Sequence, residues 1–212
     1  MLKCTMHPEP PGFQDKVGKP GANFLKNNPN PKSSDFPAYW SYVHSDLYSC
    51  YRGICNFCAT WMPRASKNTG NEASSIDHFI PKTVDKNAAY KWSNYRLCRG
   101  SINNSKDIST DVLDPFHINN NWFEMDFRRN AIKPADCLST LIESQVQDTI
   151  RILGLNGSIL KSERLSVIIQ YLKKGGTTIE RRYPFLHKEM VRVDFDNTLA
   201  DKLRSILNKH KC

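Results

Sequence analysis

The sequence predicts an α+β protein on three observations. Residues 7–38 hold seven of the twelve prolines and the glycines of Pro-Pro-Gly-Phe and Gly-Lys-Pro-Gly, a composition for extended chain rather than helix. Residues 75–80 and 122–127 follow the two-residue period of strands. The last third repeats apolar residues every three or four positions, the period of helices.

Size, charge and cysteine usage narrow the class. The 212 residues, 39% of them apolar, suffice for one ordinary domain or for a small module wrapped by helices. Thirty Lys and Arg against 21 Asp and Glu leave a formal charge of +9, the electrostatic footprint of a protein that meets phosphate. No apolar run is long enough for a signal peptide or a membrane span, so a cytoplasmic protein with no membrane partner is expected. Seven cysteines with a single tight C-x-x-C exclude a disulfide framework there and leave thiols or metal ligands. With no P-loop or Gly-rich phosphate cradle, ATP hydrolysis is not expected within this chain.

In chain order, residues 1–38 read as an extended basic arm carrying Lys16, Lys19, Lys26 and Lys32. It packs on its own domain or a partner, or clamps a nucleic acid strand. From Tyr39, the residues Tyr39, Trp40, Tyr42, Val43, Leu47, Tyr48 and Tyr51 recur at helical spacing behind Ser34 or Asp35 as a cap. They predict a helix that turns its aromatics to the core. Cys55-Asn56-Phe57-Cys58 is a knuckle of the kind that opens a zinc ribbon. In the strand at 75–80, alternation puts Ile76, His78 and Ile80 on one face and Asp77 and Phe79 on the other. A site that uses both Asp77 and His78 therefore demands a twisted or bulged strand end.

Residues 122–127 form a strand with Phe123, Met125 and Phe127 on one face, followed by a second strand at 129–133. His117, after an Asp-Pro turn, reads as a loop histidine. Three helices close the chain: one over 138–153 up to Gly154, one over 160–172 up to Gly175 and Gly176, and one through Leu199, Leu203, Ile206 and Leu207 behind Asp196 or Asn197. The expected organisation is an arm at 1–38, a core at 39–135 and a helical C-terminal part at 136–212 packed on that core. Lys173-Lys174 and Arg181-Arg182 extend either a substrate track or a protein interface.

The chemistry concentrates in residues 75–106. Asp77, His78, Asn94, Asn103, Asn104 and Lys106 bring a carboxylate, an imidazole and carboxamides into one short stretch. One-metal hydrolysis of a phosphodiester needs oxygen ligands for a hard cation such as Mg2+ or Mn2+ and a base for the attacking water. Neutral His78, ordinarily with a pKa of about 6.5, suits the second task. Lys82, Lys91 and Arg96 are candidate phosphate contacts.

The order Asp-His, then Asn, then Asn-x-x-Lys resembles the HNH nucleases of the ββα-metal, or His-Me finger, class. The resemblance implies a ββα-metal HNH core whose last element is a helix within residues 99–110. Asp77 and the side-chain oxygen of Asn103, with Asn104 as its rival, would hold one divalent metal while His78 acts on water. It further implies that Asn94 bonds the loop between the strands and steadies His78, and that Lys106 meets phosphate. Many such proteins carry a second cysteine knuckle that completes a structural Zn2+ site. Here Arg99 and Ile102 stand at its positions and Cys98 lies one place out of register, so Cys55, Cys58 and Cys98 have no evident fourth ligand. Reduced thiols are the expectation.

The longer order of knuckle, Asp-His-Phe-x-Pro-Lys, Tyr-x-Trp-Ser-Asn-Tyr-Arg-Leu, Leu-Asp-Pro-Phe and Leu-Gly-Leu-Asn is similar to a bacterial group of stand-alone HNH proteins. That group includes the HNH subunits of Septu-type antiphage systems and of retrons that pair an ATPase with an HNH effector. Over residues 45–175 this likeness implies a toxic effector acting on DNA or RNA, tRNA included. It implies an ATPase subunit as partner and, in the retron case, a reverse transcriptase with its DNA-RNA product. The competing class is a non-catalytic nucleic-acid-binding or docking subunit, which has no need of His78.

Overall fold

The computed structural model describes residues 1–67, 69–174 and 178–201, which form a mixture of helix and strand with two small antiparallel sheets. The chain begins inside the core: Met1, Phe13, Val17 and Phe36 are all buried. Trp92 Nε1 donates to His7 O at 2.7 Å and Tyr90 Oη donates to Pro37 O at 3.0 Å, tying this segment down. The expected extended arm is thereby corrected, because a π-helical turn over Gln14–Gly18 runs into helix α1, Lys19–Asn27. Proline content misled because Pro20 sits in the first turn of α1, where an amide donor is not needed. Gly21 lets α1 press against an aromatic ring, since a Cβ there would lie 2.3 Å from Tyr90 Cγ.

The helix expected from Tyr39 is split into a 3-10 turn, Tyr39–Val43, and helix α2, His44–Cys50. Val43 and Leu47 are buried, but Tyr42 is exposed, so the aromatics do not form one core face. In the knuckle, Cys55 N donates to Thr60 O at 2.9 Å. Asn56 N donates to Leu97 O at 2.8 Å, and Asn56 Oδ1 accepts from Leu97 N at 2.7 Å. The knuckle is thus stitched to the first sheet.

That sheet pairs β1, Ser74–His78, with β2, Tyr95–Arg99, antiparallel. All five β2 residues are buried, as expected of a strand with β1 on one side and the knuckle on the other. Helix α3, Gly100–Lys106, follows β2 without a linker. Gly100 permits this, because a Cβ there would approach Asn71 O to 2.9 Å. The resulting strand–strand–helix unit positions the candidate site. Its strands are joined by a loop with 3-10 turns at Lys86–Ala88 and Trp92–Asn94.

The second sheet pairs β3, Phe123–Asp126, with β4, Ala131–Pro134, close to the expected strands. Phe123 and Met125 are buried on one face, whereas Phe127 falls beyond the end of β3. Helices α4, Thr140–Ile152, and α5, Ser158–Lys174, match the apolar periodicity. Ser139 Oγ caps α4 by accepting from Ile142 N. Two short helices were not expected, α6, Thr178–Arg182, and α7, Pro184–Arg192. Residues Asp196–Ala200 form a π-helical turn; Leu203, Ile206 and Leu207 of the expected third helix lie outside the described residues, as do Gly175 and Gly176. Val146, Leu153, Leu160 and Ile168 share one core cluster with Leu97, Met1 and Phe13. Among the described residues, no helix is long and apolar enough to cross a membrane.

Candidate active site

The β1–β2 register runs unbroken from Ser74 opposite Arg99 to His78 opposite Tyr95. Of the twisted or bulged strand end that was expected, the bulge is therefore absent, and Asp77 and His78 leave β1 on opposite faces. Each finds separate partners.

Asp77 is only 2% exposed. Its Oδ1 accepts from Lys106 Nζ at 3.1 Å, while Oδ2 is buried with no hydrogen-bond partner among the described residues. Burial pushes the carboxyl above the usual range, with Lys106 and then Arg96 pulling the other way. Asn103 lies on the same face of α3, one turn before Lys106. It donates Nδ2 to Ser75 Oγ at 2.9 Å and to Ile76 O at 3.3 Å. Those bonds hold Asn103 against β1 and leave its Oδ1 for a further partner. Asn104 is exposed, so Asn103 is the residue of the pair that reaches the strand.

His78 sits on the other face, its ring edge-on to Trp40 and Tyr95 at centroid distances of 4.6 and 5.3 Å. Its Nε2 lies 3.0 Å from Ala89 O. A carbonyl oxygen only accepts, so this contact assigns the hydrogen to Nε2 and the lone pair to Nδ1. Burial pushes the pKa of His78 down to about 4, and the Lys82 charge adds to the effect; the ring is neutral at pH 7. Asn94 Oδ1 accepts from Ile80 N at 2.8 Å, and its Nδ2 donates to Ile80 O at 2.9 Å and Ala88 O at 3.1 Å. These bonds clamp the loop that presents Ala89 O, which also accepts from Tyr95 Oη at 3.0 Å.

The cationic candidates divide by burial. Lys106, 1% exposed, is committed to Asp77 and also donates to His78 O at 3.3 Å. Arg96, 3% exposed, makes paired bonds of 2.8 and 2.7 Å to Asp114, and its guanidinium lies over the rings of Phe79 and Phe116. Both of these candidate phosphate contacts are thus satisfied by the protein itself, as a buried charge must be. Lys82 is half-buried, its Nζ 4.6 Å from the centre of the Trp40 ring, and Lys91 is exposed; both remain open to a ligand.

In the knuckle, Cys55, Cys58 and Cys98 are buried free thiols. Among the described residues, no group of three or more His, Cys, Asp or Glu side chains is placed to hold a metal. Arg99 instead holds the knuckle, donating Nη2 to Thr60 Oγ1 at 3.0 Å, Trp61 O at 3.1 Å and Glu163 at 2.8 Å, and Nη1 to Glu72 at 2.8 Å. Thr60 Oγ1 in turn lies 3.0 Å from Cys58 Sγ. Burial pushes the Cys58 thiol up, but its bond with Cys55 and the Arg99 charge outweigh that and bring it to about 6.

Sequence reasoning missed four parts of this arrangement. By its spacing Trp40 reads as core and Asp114 as part of a turn, because spacing alone does not show that they face His78 and Arg96. Tyr95 reads only as part of a motif. Ala89 acts through its carbonyl, for which residue type carries no signal. The chain matches no protein-family model and no curated protein.

Proposed function

We propose that this chain is a metal-dependent endonuclease with a ββα-metal HNH core formed by β1, β2 and α3, hydrolysing phosphodiester bonds in DNA or RNA. The observation that carries the reading is that neighbouring residues at the end of β1 offer, on one face, a buried carboxylate oxygen, Asp77 Oδ2, without a hydrogen-bond partner among the described residues and, on the other, an imidazole whose Nδ1 makes no hydrogen bond to them. An orphaned buried acceptor is a costly feature that a ligand would relieve. Together with Asn103 Oδ1 it offers the anionic and neutral oxygens that Mg2+ or Mn2+ takes, so the residues fit such an ion in kind. When bound, the ion supplies positive charge to the phosphate and to the departing 3′ oxygen.

His78 Nδ1 takes a proton from the attacking water as the water oxygen bonds to phosphorus and the bond from phosphorus to O3′ breaks. The departing oxygen is protonated from solvent. A pKa of about 4 makes a weak base, but a phosphate anion beside the ring raises it towards neutrality. Asn94 and Tyr95 hold the Ala89 carbonyl that fixes the tautomer. Because Asp77 and His78 leave β1 on opposite faces, a single phosphate serves both only by lying across the end of the strand.

Lys106 supports a second reading. It already neutralises Asp77 out of solvent, as in a non-catalytic nucleic-acid-binding or docking subunit. One assay separates the two: cleavage of plasmid, single-stranded DNA and total RNA with Mg2+ or Mn2+ by wild type, His78→Ala and Asp77→Ala. His78→Ala is expected to lower cleavage at least about 100-fold with nucleic acid affinity unchanged. Equal rates in wild type and both variants sink the nuclease reading. The wider proposal is that of a cytoplasmic antiphage effector, so the assay is run with and without an ATPase subunit and, for a retron, the reverse transcriptase with its DNA-RNA product.

A further inference from the structure

At the end of β1 the place of a counter-ion to Asp77 is already taken. Lys106 Nζ donates to Asp77 Oδ1 at 3.1 Å and to His78 O at 3.3 Å, and both charged side chains are almost wholly buried. Beside them Arg96 is held by paired bonds to Asp114, and the charges of both residues act on Asp77. These four charges cancel as two ion pairs. A dication added at Asp77 Oδ2 brings two positive charges to a place that is already neutral and that little water screens. Yet that oxygen is buried without a hydrogen-bond partner among the described residues, so the lysine satisfies only half of the carboxylate.

We infer that Lys106 competes with the divalent cation for Asp77, so that metal is taken up only as the ammonium leaves; this step rests on the nuclease reading. Two features favour exchange over sharing. Lys106 is the last residue of α3, so its side chain swings away by rotation of its own flexible stem, with no further turn of helix to unwind. Asn103, one turn earlier, is fixed to β1 through its amide nitrogen, so its Oδ1 stays behind when the lysine goes. The neutral pair then becomes a carboxylate beside a carboxamide oxygen, the kind of donor that Mg2+ or Mn2+ takes. While the lysine stays, the carboxylate is engaged and the chain holds the ion weakly.

The test is a Mn2+ titration of the full chain, read from the loss of the free-ion electron paramagnetic resonance signal, with circular dichroism melting of the same samples. Lys106→Met keeps most of the stem and removes the charge. It is expected to bind Mn2+ at least about tenfold tighter than wild type. Asp77→Asn together with Lys106→Met leaves the site neutral and should lose that gain. Without metal, Lys106→Met should melt below wild type, because its carboxylate is buried and unpaired. Mn2+ should then raise its melting temperature, or restore its fold if it is unfolded without metal, and do neither for the double variant. A Lys106→Met chain that responds to Mn2+ no more than wild type overturns the inference. So does a double variant that keeps the gain, since the ion is then held elsewhere. The two proposals fail separately. Cutting by wild type, with no gain of Mn2+ in Lys106→Met, removes only the exchange; the gain, in a chain whose wild type never cuts, removes only the nuclease.

Discussion

Asn94 is 5% exposed and directs its whole carboxamide at the backbone, two bonds to Ile80 and one to Ala88. Replacing it with Ala leaves a donor and two acceptors without partners in a buried loop, each worth about 1 kcal/mol. Asn94→Ala is therefore expected to lose about 2–4 kcal/mol in urea unfolding, with cleavage falling alongside because Ala89 is released. The His78 ring makes one hydrogen bond among the described residues, and its acceptor keeps the Tyr95 hydroxyl, so His78→Ala should lose activity with a smaller loss of stability. Equal stability losses in the two variants would refute that division. The residue types of this site can be read from the chain, because Asp, His and Asn in that order carry fixed chemistry. Their partners cannot: a lysine such as Lys106 shows its charge in sequence but neither its burial nor its pairing with Asp77.

Between elements, two arginines do the joining. Arg99, at the end of β2, reaches the knuckle, Glu72 and Glu163 on α5. Arg99→Leu leaves those groups unpaired and should lower the melting temperature. A zinc chelator should leave it unchanged, and the opposite pattern would assign the knuckle to a metal. Arg96, on β2, ties the sheet to the loop after α3 through Asp114. Burial pushes the Asp114 carboxyl up, but the paired Arg96 bonds outweigh it and hold it below the usual range. The stabilisation is then complete above the unfolded pKa of about 3.9 and is lost as pH falls through the lower folded value. Asp114→Asn should lower stability at pH 7 and flatten the acid limb of a stability–pH curve measured by urea unfolding. Elements show in sequence when they are long enough to repeat: α4 and α5 do, and β3 is announced by its alternation. α6 spans five residues, too few for a period, and α1 is masked by a proline that its first turn tolerates.

Across the whole molecule, the two ends of the described chain meet in one core. Met1, Phe13, Val17 and Phe36 belong to the same cluster as Leu97, Ile168 and Phe195. Burying each of those four contributes about 1.5–3 kcal/mol, roughly 6–12 kcal/mol together. That is comparable with the entire stability of an ordinary domain, about 5–15 kcal/mol. A chain that starts at residue 39 is therefore expected not to fold, read as lost near-UV circular dichroism and rapid proteolysis. A truncated chain that melts near the wild-type temperature would mean that the first 38 residues are a separable arm after all. The same cut removes the His7 and Pro37 carbonyls that accept from Trp92 and Tyr90, both in the loop that presents Ala89 to His78. Its effect on cleavage should therefore track its effect on folding, because the segment that closes the core also braces the loop behind the imidazole.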